Sequence, residues 1–166
     1  MKNIMKLLSN ILLLVAILLN SSGKAFGQDK TNFSVGFGFP ELLNIGIKYQ
    51  ILDQAKIGLS IGWLPGSQYS GNLLSFSGDF YYHFAGSSKL SDLRPWYGRI
   101  GLNYDREDLT EIINWWYSYL KFGRDFYFSK KFGISMDAGL NYHFNPDATG
   151  NPSFSPALGG CAFFRF

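Results

Sequence analysis

Between Lys131 and Phe144 every second residue is apolar. Phe132, Ile134, Met136, Ala138, Leu140, Tyr142 and Phe144 fall on one side; Lys131, Gly133, Ser135, Asp137, Gly139, Asn141 and His143 fall on the other. A period of two is the spacing of a β-strand, whose successive Cβ atoms point to opposite faces; a helix would repeat its apolar positions at three and four. An unbroken run of this length specifies a long strand with one apolar face and one face of small and polar residues.

Seven other segments follow the same rule. Phe33, Val35, Phe37 and Phe39 alternate with Ser34, Gly36 and Gly38, and Leu43, Ile45, Ile47, Tyr49 and Ile51 with Asn44, Gly46, Lys48 and Gln50. Ile57 to Trp63 reads likewise against Lys56, Gly58, Ser60 and Gly62, and Leu74 to Phe84 against Ser75, Ser77, Asp79, Tyr81 and His83. A fifth segment sets Trp96, Ile100, Leu102 and Tyr104 against Tyr97, Arg99, Gly101, Asn103 and Asp105. A sixth sets Trp116, Leu120, Phe122, Phe126 and Phe128 against Tyr117, Tyr119, Lys121, Gly123 and Asp125. Arg124 breaks the apolar face of the sixth, a position tolerable in lipid only near a strand end, where the guanidinium can snorkel to the headgroups. The last segment sets Leu158, Ala162, Phe164 and Phe166 against Gly159, Cys161, Phe163 and Arg165.

Turn residues separate the segments. Pro40-Glu41, Asp53-Gln54 and Ser129-Lys130 mark short connections, while Pro65-Gly66, Gly86-Ser87-Ser88, Arg106 to Glu111 and Asn145 to Pro156 mark longer ones. With 166 residues and no linker, the chain holds one domain.

That domain is expected to span residues 28–166. Residues 1–27 read as a signal peptide: Lys2 and Lys6 precede an apolar stretch from Leu7 to Leu19, and Ala25-Phe26-Gly27 puts small residues at −3 and −1 of a cut before Gln28. The stretch is short of the roughly 20 residues that a helix needs to span a bilayer. Losing Lys2, Lys6 and Lys24 from fifteen basic residues leaves twelve, against twelve acidic ones, so the mature chain is neutral. The basic isoelectric point therefore gives no reason to expect a nucleic-acid partner. A single cysteine, Cys161, excludes an internal disulfide.

Alternation alone does not say which face looks inward, because a soluble barrel alternates too. Volume decides between them. An eight-stranded barrel has an interior just wide enough for side chains to fill it, and the apolar face of a chain with 16 Phe is too bulky for that space. The Gly, Ser and Asn face fits. Trp63, Trp96, Trp116, Tyr104 and Tyr142 lie towards segment ends on the apolar face, as an aromatic girdle at the headgroups requires. In hydrocarbon every backbone polar group needs a partner, so the sheet must close. The fold class expected is all-β, a closed eight-stranded antiparallel up-and-down transmembrane barrel.

The terminal Ala162-Phe163-Phe164-Arg165-Phe166, with Phe164 and Phe166 at alternate positions, resembles the last-strand assembly signal of outer-membrane barrels. Strand number and mature length resemble the small eight-stranded members of the outer-membrane protein A and X type. The resemblance implies a bacterial outer-membrane location, contact with lipid and lipopolysaccharide, and recognition by the barrel-assembly machinery. It also implies long extracellular loops and short periplasmic turns, with which the short first connection and the long fourth one disagree. A monomer is the default expectation.

Lumen-facing charges are the next constraint. Lys48, Lys56, Arg99, Lys121, Lys131 and Arg165 are expected to face inward with Asp79, Asp105, Asp125 and Asp137 as a hydrogen-bonded ion-pair network. Rings of charge could instead line a narrow pore, but mixed signs in so small a bore favour a plug. No cofactor or metal is expected: His83 and His143 fall at opposite ends of the barrel, and no Cys/His cluster exists. Some barrels of this size act on lipid A through a His, a hydroxyl and an acid. The corresponding set would be His143, Asp147 and Ser153 or Ser155, without the His-x-Ser spacing of the deacylase type. The expectation is a structural or surface-interaction protein rather than an enzyme.

Overall fold

The computed structural model describes residues 30–66, 71–108, 112–144 and 153–166. The expected signal peptide, residues 1–27, lies outside the described residues. Eight strands follow in order: β1 (Thr31–Phe39), β2 (Leu42–Leu52), β3 (Ala55–Leu64), β4 (Asn72–Ala85), β5 (Trp96–Asp108), β6 (Ile112–Tyr127), β7 (Phe132–His143) and β8 (Phe154–Arg165). Each pairs antiparallel with the next, and β8 returns to β1 from Asn32↔Arg165 to Phe39↔Leu158, so the sheet is a closed barrel.

The faces sort by residue size and polarity. Outward lie Phe76, 41% exposed, and Leu140, 59% exposed; inward lie Asn103, Lys121 and Asn141, all at 0%. Tyr81, Tyr97, Tyr119 and Phe163 are also buried, and they fill the lumen along with the charges. A glycine makes room for one of them: a Cβ at Gly101 would stand 2.5 Å from the Tyr119 ring and from Asp79 Oδ1.

We call the end where β1 starts and β8 finishes the proximal end. The connection β4–β5, residues 86–95, folds across it. Leu93 is buried there, Gln54 Nε2 donates to Asp92 O (3.1 Å) and the Arg94 N–H donates to Gln54 Oε1 (3.0 Å). His83 Nδ1–H donates to Arg94 O at 2.7 Å, and Arg165 Nη1 donates to Ser91 Oγ at 2.9 Å. The long fourth connection is thus a cover over the lumen.

At the distal end the short β1–β2 tip does the reverse of what a solvent turn does. Pro40 and Glu41 are both buried. The Phe39–Pro40 peptide is cis, and Leu42 has φ of 59°. Gly62 on β3 admits it, since any Cβ there would collide with the Glu41 backbone carbonyl.

Three sequence readings need correcting. Arg106 to Asp108 continue β5 rather than opening a loop, and β8 begins at Phe154, four residues before Leu158. Pro156 hid that start, because proline seldom sits inside a sheet; here it lies near the rim, facing Leu140. Lys131 does not face the lumen. It is exposed in the β6–β7 turn, where Ser129 Oγ accepts the N–H groups of Lys131 (3.2 Å) and Phe132 (2.9 Å), so the strand starts one residue later than alternation suggests.

Candidate functional site: the enclosed lumen

The inward charges divide into three groups stacked along the barrel. The middle one is built on Arg99 of β5. Its Nε and Nη2 donate to the two oxygens of Asp79 on β4, both at 2.8 Å, a bidentate pair. Nη2 also meets Glu41 Oε1 at 2.7 Å, and Nη1 meets Asp137 Oδ2 of β7 at 3.4 Å. Lys121 of β6 places its ammonium 2.7 Å from Glu41 Oε2 and 3.9 Å from Asp137 Oδ1, and donates to Phe39 O at 3.1 Å.

Tyrosines complete this group. Tyr119 OH donates to Asp79 Oδ1 (2.5 Å) and Tyr97 OH to Asp137 Oδ2 (3.0 Å). The Arg99 guanidinium lies 5.2 Å from the Tyr81 ring centroid and 5.1 Å from that of Tyr119. Lys48 sits 4.8 Å over the Tyr81 ring and donates to Cys161 Sγ at 3.4 Å. Charges inside a barrel are costly unless paired and hydrogen-bonded; Arg99 and Lys121 meet both conditions, while Lys48 rests on a ring and a thiol.

The proximal group holds Lys56, Asp125 and Arg165, all buried. Asp125 accepts from Ser135 Oγ (2.6 Å) and Tyr127 OH (3.0 Å). Arg165 stacks 4.6 Å from the Tyr127 centroid and 5.7 Å from that of Phe163, and Lys56 lies 6.0 Å from Phe163. With the Asn32 amide oriented to satisfy both its neighbours, its oxygen accepts from Lys56 Nζ at 3.1 Å.

The distal group is smaller. Ser75 donates to Asn103 Oδ1 (2.9 Å), and Asn103 Nδ2 donates to Asp105 Oδ1 (2.5 Å). His143 Nε2 and Ser155 Oγ are 2.7 Å apart, with the Tyr117 ring edge-on to the imidazole at 4.4 Å. His83 and His143 therefore stand at opposite ends. Asp147 lies outside the described residues. Among the described residues no three His, Cys, Asp or Glu side chains converge as metal ligands.

Glu41 is the residue that alternation missed, since it sits in a turn and belongs to no strand pattern. Five inward cations from the strands, the half-buried Lys48 and the buried Lys56, Arg99, Lys121 and Arg165, meet four strand carboxylates (Asp79, Asp105, Asp125 and Asp137), and Glu41 makes up the difference.

On the outer wall Trp63, Tyr104, Trp116 and Tyr142 ring the distal rim. Tyr104 and Trp116 pack at 4.9 Å between centroids, and Tyr142 packs on Phe154 at 5.1 Å. Trp96, Phe164 and Phe166 lie outward at the proximal rim, about half exposed.

The chain is similar to the N-terminal β-barrel domain of Pseudomonas aeruginosa OprF, with a TM-score of 0.57, 18% identity, and cover of 84% of this chain and 98% of that domain. The fold is that of a small outer-membrane-type barrel. No protein-family model and no curated protein sequence matches the chain.

Proposed function

We propose that the chain is an integral outer-membrane protein with a structural or surface-interaction role, closed to ion flow. The observation that carries this reading is the lumen itself. Arg99 and Lys121 are tied to carboxylates from β4, β7 and the inward β1–β2 tip, while residues 86–95 cover the proximal mouth. An eight-stranded bore filled in this way supports a plug rather than a pore. The outward apolar wall supports insertion into lipid, because a soluble chain rarely exposes so large a contiguous apolar surface. With the proximal end in the periplasm, the third and fourth extracellular connections, after β5 and β7, are the contact surface on this reading.

Reconstitution into planar bilayers tests the closed reading. The expected result is a silent bilayer at moderate voltage; steady, reproducible single-channel steps would overturn it. Membrane fractionation with heat-modifiable gel migration tests the location, and recovery in the soluble fraction would sink it.

A second reading rests on one contact. The 2.7 Å approach of His143 Nε2 to Ser155 Oγ is the geometry of a base beside a hydroxyl nucleophile. On that reading the distal rim hydrolyses or transfers acyl chains of lipid A. Incubation with lipid A and mass spectrometry would show acyl loss in the native chain and none in Ser155→Ala; unchanged lipid in both would retire it.

A further inference from the structure

Among the described residues, the lipid-facing wall carries a charge at Arg124 with Trp, Phe and Met around it. Arg124 points outward from β6, between Trp96 of β5 and Met136 of β7 in register. Its guanidinium lies 5.2 Å from the Trp96 ring centroid and 5.1 Å from that of Phe126. Among the described residues none of its partners is a carboxylate. An uncompensated guanidinium on a wall of Phe, Trp and Met is expensive wherever the bilayer covers it.

Its position limits what can compensate it. Trp96 is the first residue of β5, and Arg124 is three residues from the end of β6, so the pair sits at the proximal headgroup level. At that depth the lipid headgroups come within reach of the guanidinium.

Beside Arg124 the wall is indented. Ala138 and Gly160 form the floor of a groove of about 820 Å³, with Phe37, Phe122 and Met136 among its walls and Arg124 at its edge. Ala138 and Gly160 stand on neighbouring strands, and their small size keeps this part of the wall low. That is an apolar slot open to lipid with a cation at its margin.

We propose that Arg124 binds the phosphate of an anionic phospholipid from the proximal leaflet, one of whose acyl chains lies in the groove over Ala138 and Gly160. This rests on the membrane reading given above. Charge selects the lipid. A guanidinium holds a phosphate through paired N–H donors, and a phosphatidylglycerol headgroup brings net negative charge, whereas phosphatidylethanolamine carries its own ammonium to neutralise its phosphate. The Trp96 and Phe126 rings, their centroids 5.2 and 5.1 Å from the guanidinium carbon, hold it by cation–π contact.

Native mass spectrometry of the full chain released from equimolar phosphatidylglycerol and phosphatidylethanolamine is the test. The unaltered chain is expected to retain one phosphatidylglycerol in preference to phosphatidylethanolamine. Arg124→Gln should lower that retention about tenfold, the order of one charge-assisted contact. Arg106→Gln, which removes an arginine from the opposite rim, should leave it unchanged. Ala138→Leu, which fills the groove, should weaken retention with the headgroup contact intact. Equal retention of the two lipids by the unaltered chain would overturn the proposal without any variant. So would undiminished retention in Arg124→Gln, or an equal loss in Arg106→Gln. Heat-modifiable migration in vesicles keeps the two readings apart. A chain that inserts but shows no lipid preference refutes the site alone, and one that never inserts refutes the membrane reading beneath it.

Discussion

The middle of the lumen and its proximal end both enclose cations, and they neutralise them differently. In the middle, Arg99 and Lys121 lie against Glu41, Asp79 and Asp137 at salt-bridge distance. At the proximal end, Lys56 and Arg165 face the rings of Phe163 and Tyr127, and the local carboxylate, Asp125, is engaged by Ser135 and Tyr127. A carboxylate and an aromatic face both answer a positive charge, but losing them has unequal consequences. A stripped ion pair strands a full charge in a desolvated site. A stripped ring withdraws a quadrupole worth about 0.5–2 kcal/mol. The two regions should therefore respond to substitution on different scales.

The largest effect is expected at the tip. Glu41→Ala removes the carboxylate shared by Arg99 and Lys121 and leaves Lys121, which is fully enclosed, with Asp137 at 3.9 Å as its nearest acid. Breaking a buried pair in this way costs about 3–5 kcal/mol. Urea titration in phospholipid vesicles, followed by gel migration, should show that loss. A change below about 1 kcal/mol would mean that water reaches the tip, and the closed-lumen reading would fall with it.

The next effect is a difference between two like changes. Lys121→Met takes from Glu41 one of its two cations, leaving Arg99 Nη2 at 2.7 Å, and should cost about 1.5–3 kcal/mol, the worth of a charged hydrogen bond. Arg165→Met strands no acid within salt-bridge distance among the described residues, and its Nε and Nη2 have no hydrogen-bond partner there, so it should cost about 1 kcal/mol or stabilise. Equal costs would erase the distinction between the two regions. Adding Lys121→Met to Glu41→Gln sharpens it, because the doubly neutralised site should be more stable than the sum of the single losses allows.

What the sequence reveals follows from the same physics. Strand phase is legible because hydrocarbon outside and a narrow bore inside act on every residue of a strand, so Ile134 and Asp137 could be assigned to opposite faces from spacing alone. Closure into eight strands is legible for a related reason, since a bilayer permits no free edge. Glu41 is not legible, because its burial depends on a turn folding inward across Gly62, a contact between residues on different strands that no period records. Lys131 misleads for a similar reason: the Ser129 hydroxyl decides where the turn ends, and alternation carries no information about it. Residues 86–95 look like a solvent loop until His83, Gln54 and Arg165 are seen to hold it down. The expected single network likewise divides into three levels, because height along a barrel depends on shear as well as on sequence position.

A smaller effect tests the aromatic end directly. Phe163→Leu keeps an apolar side chain in the buried position but removes the ring that faces both Lys56 and Arg165. The expected loss is about 1–2 kcal/mol, from the ring–cation contacts and a modest packing change. In the background of Arg165→Met the same substitution should cost less, since one of the two cations is gone. If Phe163→Leu costs as much with Arg165 present as without it, the ring is filling space and the cations at this end are held by something else.

The smallest expected effect concerns the cover. Ser91 accepts a hydrogen bond from Arg165 Nη1, which ties residues 86–95 to β8. Ser91→Ala removes one acceptor from a guanidinium that also rests on two rings, so the global cost should be no more than about 1–2 kcal/mol. Its local consequence is more informative. Hydrogen exchange at Arg94 and Leu93 reports how often the cover lifts, and it should quicken in Ser91→Ala while the amides of Arg99 and Lys121 stay unchanged. Loops open on their own scale of free energy, below that of the barrel. A matching acceleration in the middle of the lumen would mean that cover and ion-paired centre open together, and that the proximal end is no independent plug.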